Sequence, residues 1–214
     1  MSAGTITTYT DATAFGTAVG AVSVEDFTST SHFPILGLTL NSFTDLPGIG
    51  IAPGDILPGV TYSTNIGADA NEPDPFNIDS GAGYSGGILD ARTRDGINRA
   101  LTVTFTGPVT AFGFDTDGFF VPNYSITINF VSGPSDTITF SPANDGQLHF
   151  YGFASSAQDI LSATLTGSNS TTSNGFVIDN FTYTAPAAAA VPEPSTWMLG
   201  ATGLLALAAF RRCK

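Results

Sequence analysis

The sequence predicts an all-β fold: a two-sheet β-sandwich, jelly-roll-like, with one short N-terminal helix and a C-terminal apolar helical tail. Two observations support this prediction. Short segments of alternating apolar and polar residues, rich in Thr, Val, Ile and Phe, recur along residues 5–184, and Gly, Pro, Asn or Asp separate them. Only residues 11–20 show helical spacing between these segments. Successive strands without intervening helices favour a sandwich over a parallel sheet.

The elements can be assigned in order. The first strand is predicted at residues 5–9. Asp11 is a suitable N-cap for a helix over residues 11–20, which Gly20 ends. The pair of strands around Gly107-Pro108 is predicted to form a hairpin. The further predicted strands are residues 21–27, 35–40, 60–64, 100–106, 109–115, 124–131, 136–140, 148–153, 160–166 and 176–184.

Composition excludes several functions. The 214 residues include 18 acidic and 6 basic ones, a net charge of −12, so the surface repels phosphate backbones and no nucleic-acid partner is expected. The single cysteine, Cys213, excludes an internal disulfide, and two histidines, His32 and His149, are too few for a multi-histidine zinc site. Any metal site must therefore use oxygen ligands, which favours calcium or magnesium.

The C-terminus differs in composition from the β domain, which we place at residues 1–184. Residues 185–195 form a Pro/Ala-rich linker, and residues 196–214 hold an uncharged apolar stretch followed by a basic end. Fourteen helical residues span about 21 Å, which is less than the ~30 Å thickness of a hydrocarbon core. One interpretation of the stretch is therefore a terminal helix that packs on the domain. A stretch that is apolar all round, with Trp at one end and basic residues at the other, favours membrane insertion. The large apolar residues of this predicted membrane segment are Trp197, Met198, Leu199, Leu204, Leu205, Leu207 and Phe210, and the basic end consists of Arg211, Arg212 and Lys214.

This tail resembles the PEP-CTERM sorting signal of Gram-negative bacteria. The motif residues are Val191, Pro192, Glu193, Pro194 and Ser195. The resemblance implies export, a transient stage in the inner membrane, recognition by an exosortase-type membrane protease and removal of the tail. It further implies delivery to the cell surface or extracellular matrix, with a link to exopolysaccharide and biofilm. The β domain is also similar to the β-sandwich domains that precede such tails, through residues 24–27, 109–115 and 174–183.

Export requires an N-terminal signal, and residues 1–10 contain neither a basic stretch nor an apolar core. We therefore expect that such a signal has been processed off or is missing from a truncated sequence.

Acidic residues lie in the predicted strand that follows the helix and in the last predicted strand. Glu25 and Asp26 lie near the end of the strand at residues 21–27, and Asp179 lies within the strand at residues 176–184. Because Asp is a poor strand former and terminal strands of a jelly roll pair, the three acids are candidate ligands of a structural calcium ion. The alternative is that they are solvated side chains on the outer face of each strand.

Other acidic segments are weaker candidates for calcium. Residues 67–81 contain Asp69, Glu72, Asp74 and Asp79, which fit a solvated loop better than a chelating one. Residues 115–118 resemble the opening of an EF-hand loop but lack its later ligands, so a turn explains them.

Aromatic residues suggest a ligand-binding rim. Phe119, Phe120 and Tyr124 flank the acidic turn, where they are candidates to contact a sugar. Ser85, in the sequence GYSGG, matches the nucleophile-elbow pattern, but the polar segment that follows is unsuited to the required helix.

Three functions follow from these observations. The first is a non-enzymatic exported protein of the surface or matrix, sorted by its tail and associated with exopolysaccharide. The second is a calcium-dependent carbohydrate-binding module with the same address. The third, least favoured, is a serine hydrolase that uses Ser85.

Overall fold

A computed structural model describes eight parts of the chain. Two antiparallel sheets and one short helix account for most of these residues. The two-sheet β-sandwich predicted from the sequence is thereby confirmed. The described residues are 4–27, 39–47, 51–64, 77–79, 88–93, 100–118, 123–167 and 174–186.

The described residues form thirteen strands and one helix, α1. Eleven of the strands overlap the predicted ones, whereas β5 and β6 were not predicted. The elements are β1 (Ile6–Tyr9), α1 (Ala12–Val19), β2 (Val22–Glu25), β3 (Thr39–Asn41), β4 (Val60–Thr64), β5 (Asn77–Asp79), β6 (Ile88–Thr93), β7 (Ala100–Val109), β8 (Ala111–Thr116), β9 (Tyr124–Phe130), β10 (Asp136–Phe140), β11 (His149–Ser155), β12 (Ile160–Gly167) and β13 (Asn174–Thr184).

The strands are divided between a seven-stranded and a six-stranded sheet. The first has the order β1-β11-β8-β13-β6-β5, and β2 also pairs with β13. The second has the order β10-β9-β12-β7-β4-β3. Strand β13 pairs with β6 through residues 174–178 and with β2 through residues 181–184. Asp179 and Asn180 therefore lie at the junction between two partner strands.

The core lies between the two sheets and is rich in aromatic rings. Phe112 and Phe153 stack with their ring centroids 5.3 Å apart, and Tyr62 meets Phe181 edge to face at 5.5 Å. These rings are almost completely buried. Strand β9 illustrates how the sequence directs side chains into the core. Apolar and polar residues alternate along it, and every second residue from Tyr124 to Phe130 is buried. Burial of these rings supplies the main favourable contribution to folding.

The hairpin predicted around Gly107-Pro108 is wrong. Strand β7 pairs with β4 and β12 in the six-stranded sheet, whereas β8 pairs with β11 and β13 in the seven-stranded sheet. The chain crosses from one sheet to the other between Val109 and Ala111, which are both fully buried. Apolar alternation on both sides of a turn fits two strands that face each other across a core as well as it fits a hairpin.

Helix α1 has the cap and the stop that the sequence predicted, and it packs on the outer face of the seven-stranded sheet at β11 and β1. The Asp11 carboxylate accepts a hydrogen bond from the Ala14 amide at 2.6 Å, and Gly20 closes the helix with φ of 81°. Phe15 is 1% exposed and packs on Phe150 at 5.3 Å between ring centroids. The close approach requires Gly152, because a Cβ there would lie 2.6 Å from the Phe15 ring.

Candidate functional site

Glu25 ends β2 with its carboxylate turned into the protein. The side chain is 2% exposed, and its two oxygens accept hydrogen bonds from the backbone amides of Phe27, at 3.0 Å, and Leu57, at 2.7 Å. Phe27 has a φ of 53°, a left-handed conformation unusual for a bulky residue. The Glu25 carboxylate thus holds the chain through a sharp turn as it leaves the sheet.

A second pair of acids meets on the neighbouring strands. Asp179 of β13 lies in register with Asp115 of β8, and Asn180 next to it has a φ of 46°. Asn180 donates its backbone N–H to the Asp179 carboxylate at 2.6 Å and its side-chain amide to the Asp115 carboxylate at 2.8 Å. Asn180, which lies between the part of β13 that pairs with β6 and the part that pairs with β2, therefore bridges both carboxyl groups. We call Asp115, Asp179 and Asn180 the junction cluster.

Burial alters the acidity of these groups. It raises the pKa of Asp179 to about 6, and the nearby Asp115 and Asp26 charges act in the same direction, against the Asn180 backbone hydrogen bond. It also raises the pKa of Asp115, against the hydrogen bond from Asn180. The pKa of Glu25 is likewise raised by burial, although two backbone hydrogen bonds oppose the shift. The junction cluster is therefore a site where a proton is held at mildly acidic pH.

The geometry does not fit a calcium cage built from Glu25, Asp26 and Asp179. Strands β2 and β13 do pair, as the sequence suggested, with Glu25 opposite Phe181. Within the described ranges, however, no three His, Cys, Asp or Glu side chains are placed to hold a metal ion together. A calcium ion needs six to eight oxygens, and both Glu25 oxygens already accept backbone hydrogen bonds. Calcium binding by these acids stays a prediction.

The aromatic rim is not formed as expected at Tyr124. Its side chain is 0% exposed, stacks on Phe140 at 5.4 Å between centroids, and donates its hydroxyl to the Asp117 carbonyl at 2.9 Å. Its position as the first residue of β9 turns the ring inward. Phe119 and Phe120, the other two rim candidates, lie outside the described residues.

A polar groove lies beside this ring. It encloses about 490 Å³ and runs between β9, β10 and the end of β12. The sequence shows that Ser and Thr occupy alternate positions in these strands, but it does not show that the three strands lie side by side. The residues that line the groove are Asn123, Tyr124, Ser125, Thr139, Phe140, Ser141, Thr166 and Gly167.

Several other candidates fall outside the description. Ser85, the acidic loop residues Asp69, Glu72 and Asp74, and the whole tail from residue 187 onward belong to segments that the structure does not describe. Asp79 ends β5, and its side chain is likewise not described. His149, expected as an outward strand residue, is partly exposed and lies 2.9 Å from the Asp145 carboxylate.

Residues 190–212 match the family model of the PEP-CTERM protein-sorting motif. This confirms the resemblance seen in the tail. The motif indicates a protein that is exported, sorted to the cell surface and processed by an exosortase, which is a membrane protein. In the part of the chain that the structure describes, which excludes this tail, no helix is long and apolar enough to cross a membrane.

The search of curated proteins returned no match. Among solved structures, a family 29 carbohydrate-binding module is 12% identical, with a TM-score of 0.43, over 82% of this chain and 99% of the module. A cleaved adhesin domain of Lys-gingipain is 13% identical, with a TM-score of 0.42, over 77% of this chain and 99% of that domain. A family 11 carbohydrate-binding module from Clostridium thermocellum is 12% identical, with a TM-score of 0.38, over 69% of this chain and 95% of the module. The fold assignment itself comes from the pairing of the strands.

Proposed function

We propose that this chain is a non-enzymatic surface or matrix protein of a Gram-negative bacterium, carried to its address by a C-terminal signal that is then removed. An exosortase recognises Pro192-Glu193-Pro194 while the apolar segment is held transiently in the inner membrane. The released β-sandwich then associates with exopolysaccharide in a biofilm. The match of residues 190–212 to the sorting motif is the observation on which this proposal rests.

The point along the chain at which the sandwich ends supports removal of the tail without damage to the fold. The last strand, β13, ends at Thr184, and the buried core residues of the described chain extend no further than Tyr183. Cleavage after residue 186 would therefore leave both sheets intact. A tail that served as a sorting address needs no packing contact with the domain.

The proposal is tested by expressing the full chain behind an export signal in two strains, one with and one without an exosortase. In the competent strain we expect a shortened protein in the surface and matrix fractions. A variant with Pro192→Ala, Glu193→Ala and Pro194→Ala should stay unprocessed in the membrane fraction. The control variant Pro186→Ala, upstream of the motif, should behave like the wild type. Equal processing of wild type and motif variant, or processing without an exosortase, would contradict the proposal.

A calcium-dependent carbohydrate-binding module is the second candidate function. The groove beside β9 and β10 supports it, because its hydroxyl and amide groups and the half-buried Phe140 ring are suited to a sugar. Retention of the full chain on polysaccharide gels with calcium and with chelator separates the two candidates. If chelator abolishes retention, the second function is favoured. If chelator leaves retention unchanged, binding to the polysaccharide does not depend on calcium.

A further inference from the structure

The outer face of the six-stranded sheet presents hydroxyl and amide groups on every strand. In β7, Leu101 and Val103 face the core, so Thr102 and Thr104 face outward. The same alternation places Thr127 outward between buried Ile126 and Ile128 in β9. The outward residues are partly or fully exposed.

Strand pairing arranges these residues in rows that cross the sheet. The register places six of them side by side, one from each strand, about 4.8 Å apart, so that the row is roughly 24 Å long. We call this set the hydroxyl row. Its members, in order across the sheet, are Thr137, Thr127, Thr164, Thr102, Ser63 and Thr39.

A parallel row lies one pleat along the strands, about 6.8 Å away. It begins at Asn129, whose side-chain amide donates to the Ser162 hydroxyl at 3.1 Å, and continues through the residues in register with Ser162. The continuing residues are Thr104, Thr61 and Asn41.

Hydrogen bonds within the hydroxyl row join four of its six side chains in two pairs. Thr102 and Thr164 are 3.1 Å apart at their hydroxyl oxygens, and so are Thr127 and Thr137. A hydroxyl has one donor and two acceptor positions, so each bonded pair keeps capacity for a further partner. Because the rotamers are held before any ligand arrives, binding would cost little side-chain entropy.

The two rows carry no charge. The chain carries 18 acidic residues, yet neither row contains a charged side chain. Asp136 is the one acid in the six strands. It is exposed, but it lies in register with the inward-facing Ile128 and therefore not on the side of the sheet that carries the rows. The rows also lack the aromatic or large aliphatic anchors on which stable protein–protein interfaces depend. A neutral, extended partner that both donates and accepts hydrogen bonds matches them best, since the net charge of −12 repels polyanions.

The polar groove continues this surface at one end. Thr139, Ser125 and Thr166 lie in register with one another, one pleat from the hydroxyl row, and all three line the groove. At its rim, Ser141 donates to the Asn123 side-chain oxygen at 2.8 Å. An open face that leads into a groove of about 490 Å³ accommodates a polymer with one residue or branch inserted.

We propose that the two hydroxyl-lined rows and the adjoining groove form the surface on which this protein binds a neutral polysaccharide. The inference rests on the proposed association with exopolysaccharide and names both the surface and the class of polymer. The sugar rings would lie across the strands, with their hydroxyl groups bonded to Thr and Ser side chains.

The test measures retention of the full chain, in neutral detergent, on immobilised cellulose, xylan, mixed-linkage glucan and galactan, with anionic alginate as the contrasting polymer. At least one neutral polymer should retain the wild type and alginate should not. The double variant Thr102→Val/Thr164→Val removes two hydroxyls with little change in shape, and we expect about tenfold weaker binding. The matched control Thr7→Val/Thr8→Val, on exposed positions of β1 in the other sheet, should bind like the wild type.

Thermal unfolding of each variant shows that the fold is kept, and Thr127→Glu offers a second way to block the row by adding charge. The proposal is overturned if no neutral polymer retains the wild type, or if row and control variants bind equally. It is also overturned if sedimentation shows a dimer that the row variants dissociate, since the occupant would then be a second copy. Retention is read independently of tail processing, so failure of the sorting proposal would be visible separately.

Discussion

Asp115 and Asp179 lie opposite each other on β8 and β13, and the Asn180 side chain donates to Asp115 while its backbone donates to Asp179. Two carboxyl groups in register on adjacent strands repel each other when both are charged. This repulsion is relieved most simply when one of the two carboxyl groups keeps a proton, which accords with the raised pKa of both groups.

The first prediction concerns pH. The folded-state pKa of Asp179, about 6, lies above its ordinary value of 3.8, so the folded state binds the proton more tightly than the unfolded state. The stability that this proton gives is fully present below pH 4 and is lost as the pH rises through 6, a change on the order of 2–3 kcal/mol. Asp179→Asn should raise the melting temperature at pH 7.5 and flatten its dependence between pH 4 and pH 7.

The control for this experiment is Asp136→Asn, at an exposed position of β10. It should leave the pH dependence of the melting temperature as steep as in the wild type. If Asp179→Asn and the wild type show the same slope, the junction cluster does not hold a proton in the way described.

The second prediction compares two buried tyrosines. The buried Tyr62 hydroxyl has no hydrogen-bond partner among the residues that the structure describes, whereas Tyr183 donates to the Pro58 carbonyl at 2.8 Å. Tyr62→Phe removes an unsatisfied polar group and should leave the free energy of unfolding unchanged or raise it by about 1 kcal/mol. Tyr183→Phe leaves an acceptor unpaired and should lower it by about 1 kcal/mol. Urea denaturation measures both, and a larger loss for Tyr62→Phe would contradict the assignment.

The third prediction compares two glycines near helix α1. A Cβ on Gly152 would meet the rings of Phe15 and Phe150 at 2.6 and 2.8 Å, whereas a Cβ on Gly16 would meet no atom of the described residues within 4 Å apart from its chain neighbours and the backbone of its own helix. Gly152→Ala should lower the free energy of unfolding by about 1–3 kcal/mol. Gly16→Ala should raise it by about 1 kcal/mol through helix propensity. Thermal or urea unfolding checks the opposite signs, and equal effects would refute the proposed packing of α1.

The fourth prediction concerns calcium. Because the described acids form no group placed to hold a metal ion, we expect calcium to bind at Glu25, Asp26 and Asp179 with a dissociation constant no tighter than about 1 mM, so that 1 mM calcium adds at most about 0.4 kcal/mol there. That corresponds to a rise of roughly 1–2 °C in melting temperature relative to chelator. A rise of about 5 °C or more that disappears in Asp179→Asn would instead establish the calcium site that the sequence suggested.

Local features of the fold were predictable because local chemistry determines them. The strand at Tyr124–Phe130 alternates strictly between apolar and polar residues, and the helix after Asp11 has both its cap and its glycine stop. Strand β5 has only three residues, too few to show alternation, and was not predicted. The sequence could not predict which sheet each strand joins either. A chain that crosses between the two sheets at Thr110 and a chain that makes a tight turn there show the same alternation of apolar and polar residues.

The site was predictable only in its residue types. Glu25 and Asp179 stand out as acids in strands, but the sequence does not show that Leu57, 32 residues away from Glu25, donates to its carboxylate. Asp115 becomes a partner of Asp179 only through pairing of strands that lie far apart in the chain. The hydroxyl row likewise depends on the register of six strands, although each strand shows its Thr or Ser residues plainly.

The central claim is that the C-terminal segment is an address that is removed, and the mass of the protein at its destination tests it most directly. Intact-mass spectrometry of the chain recovered from the surface or matrix of an exosortase-containing host should show a species whose C-terminus lies before Trp197. Recovery of a surface protein whose mass still includes Lys214 would contradict the account.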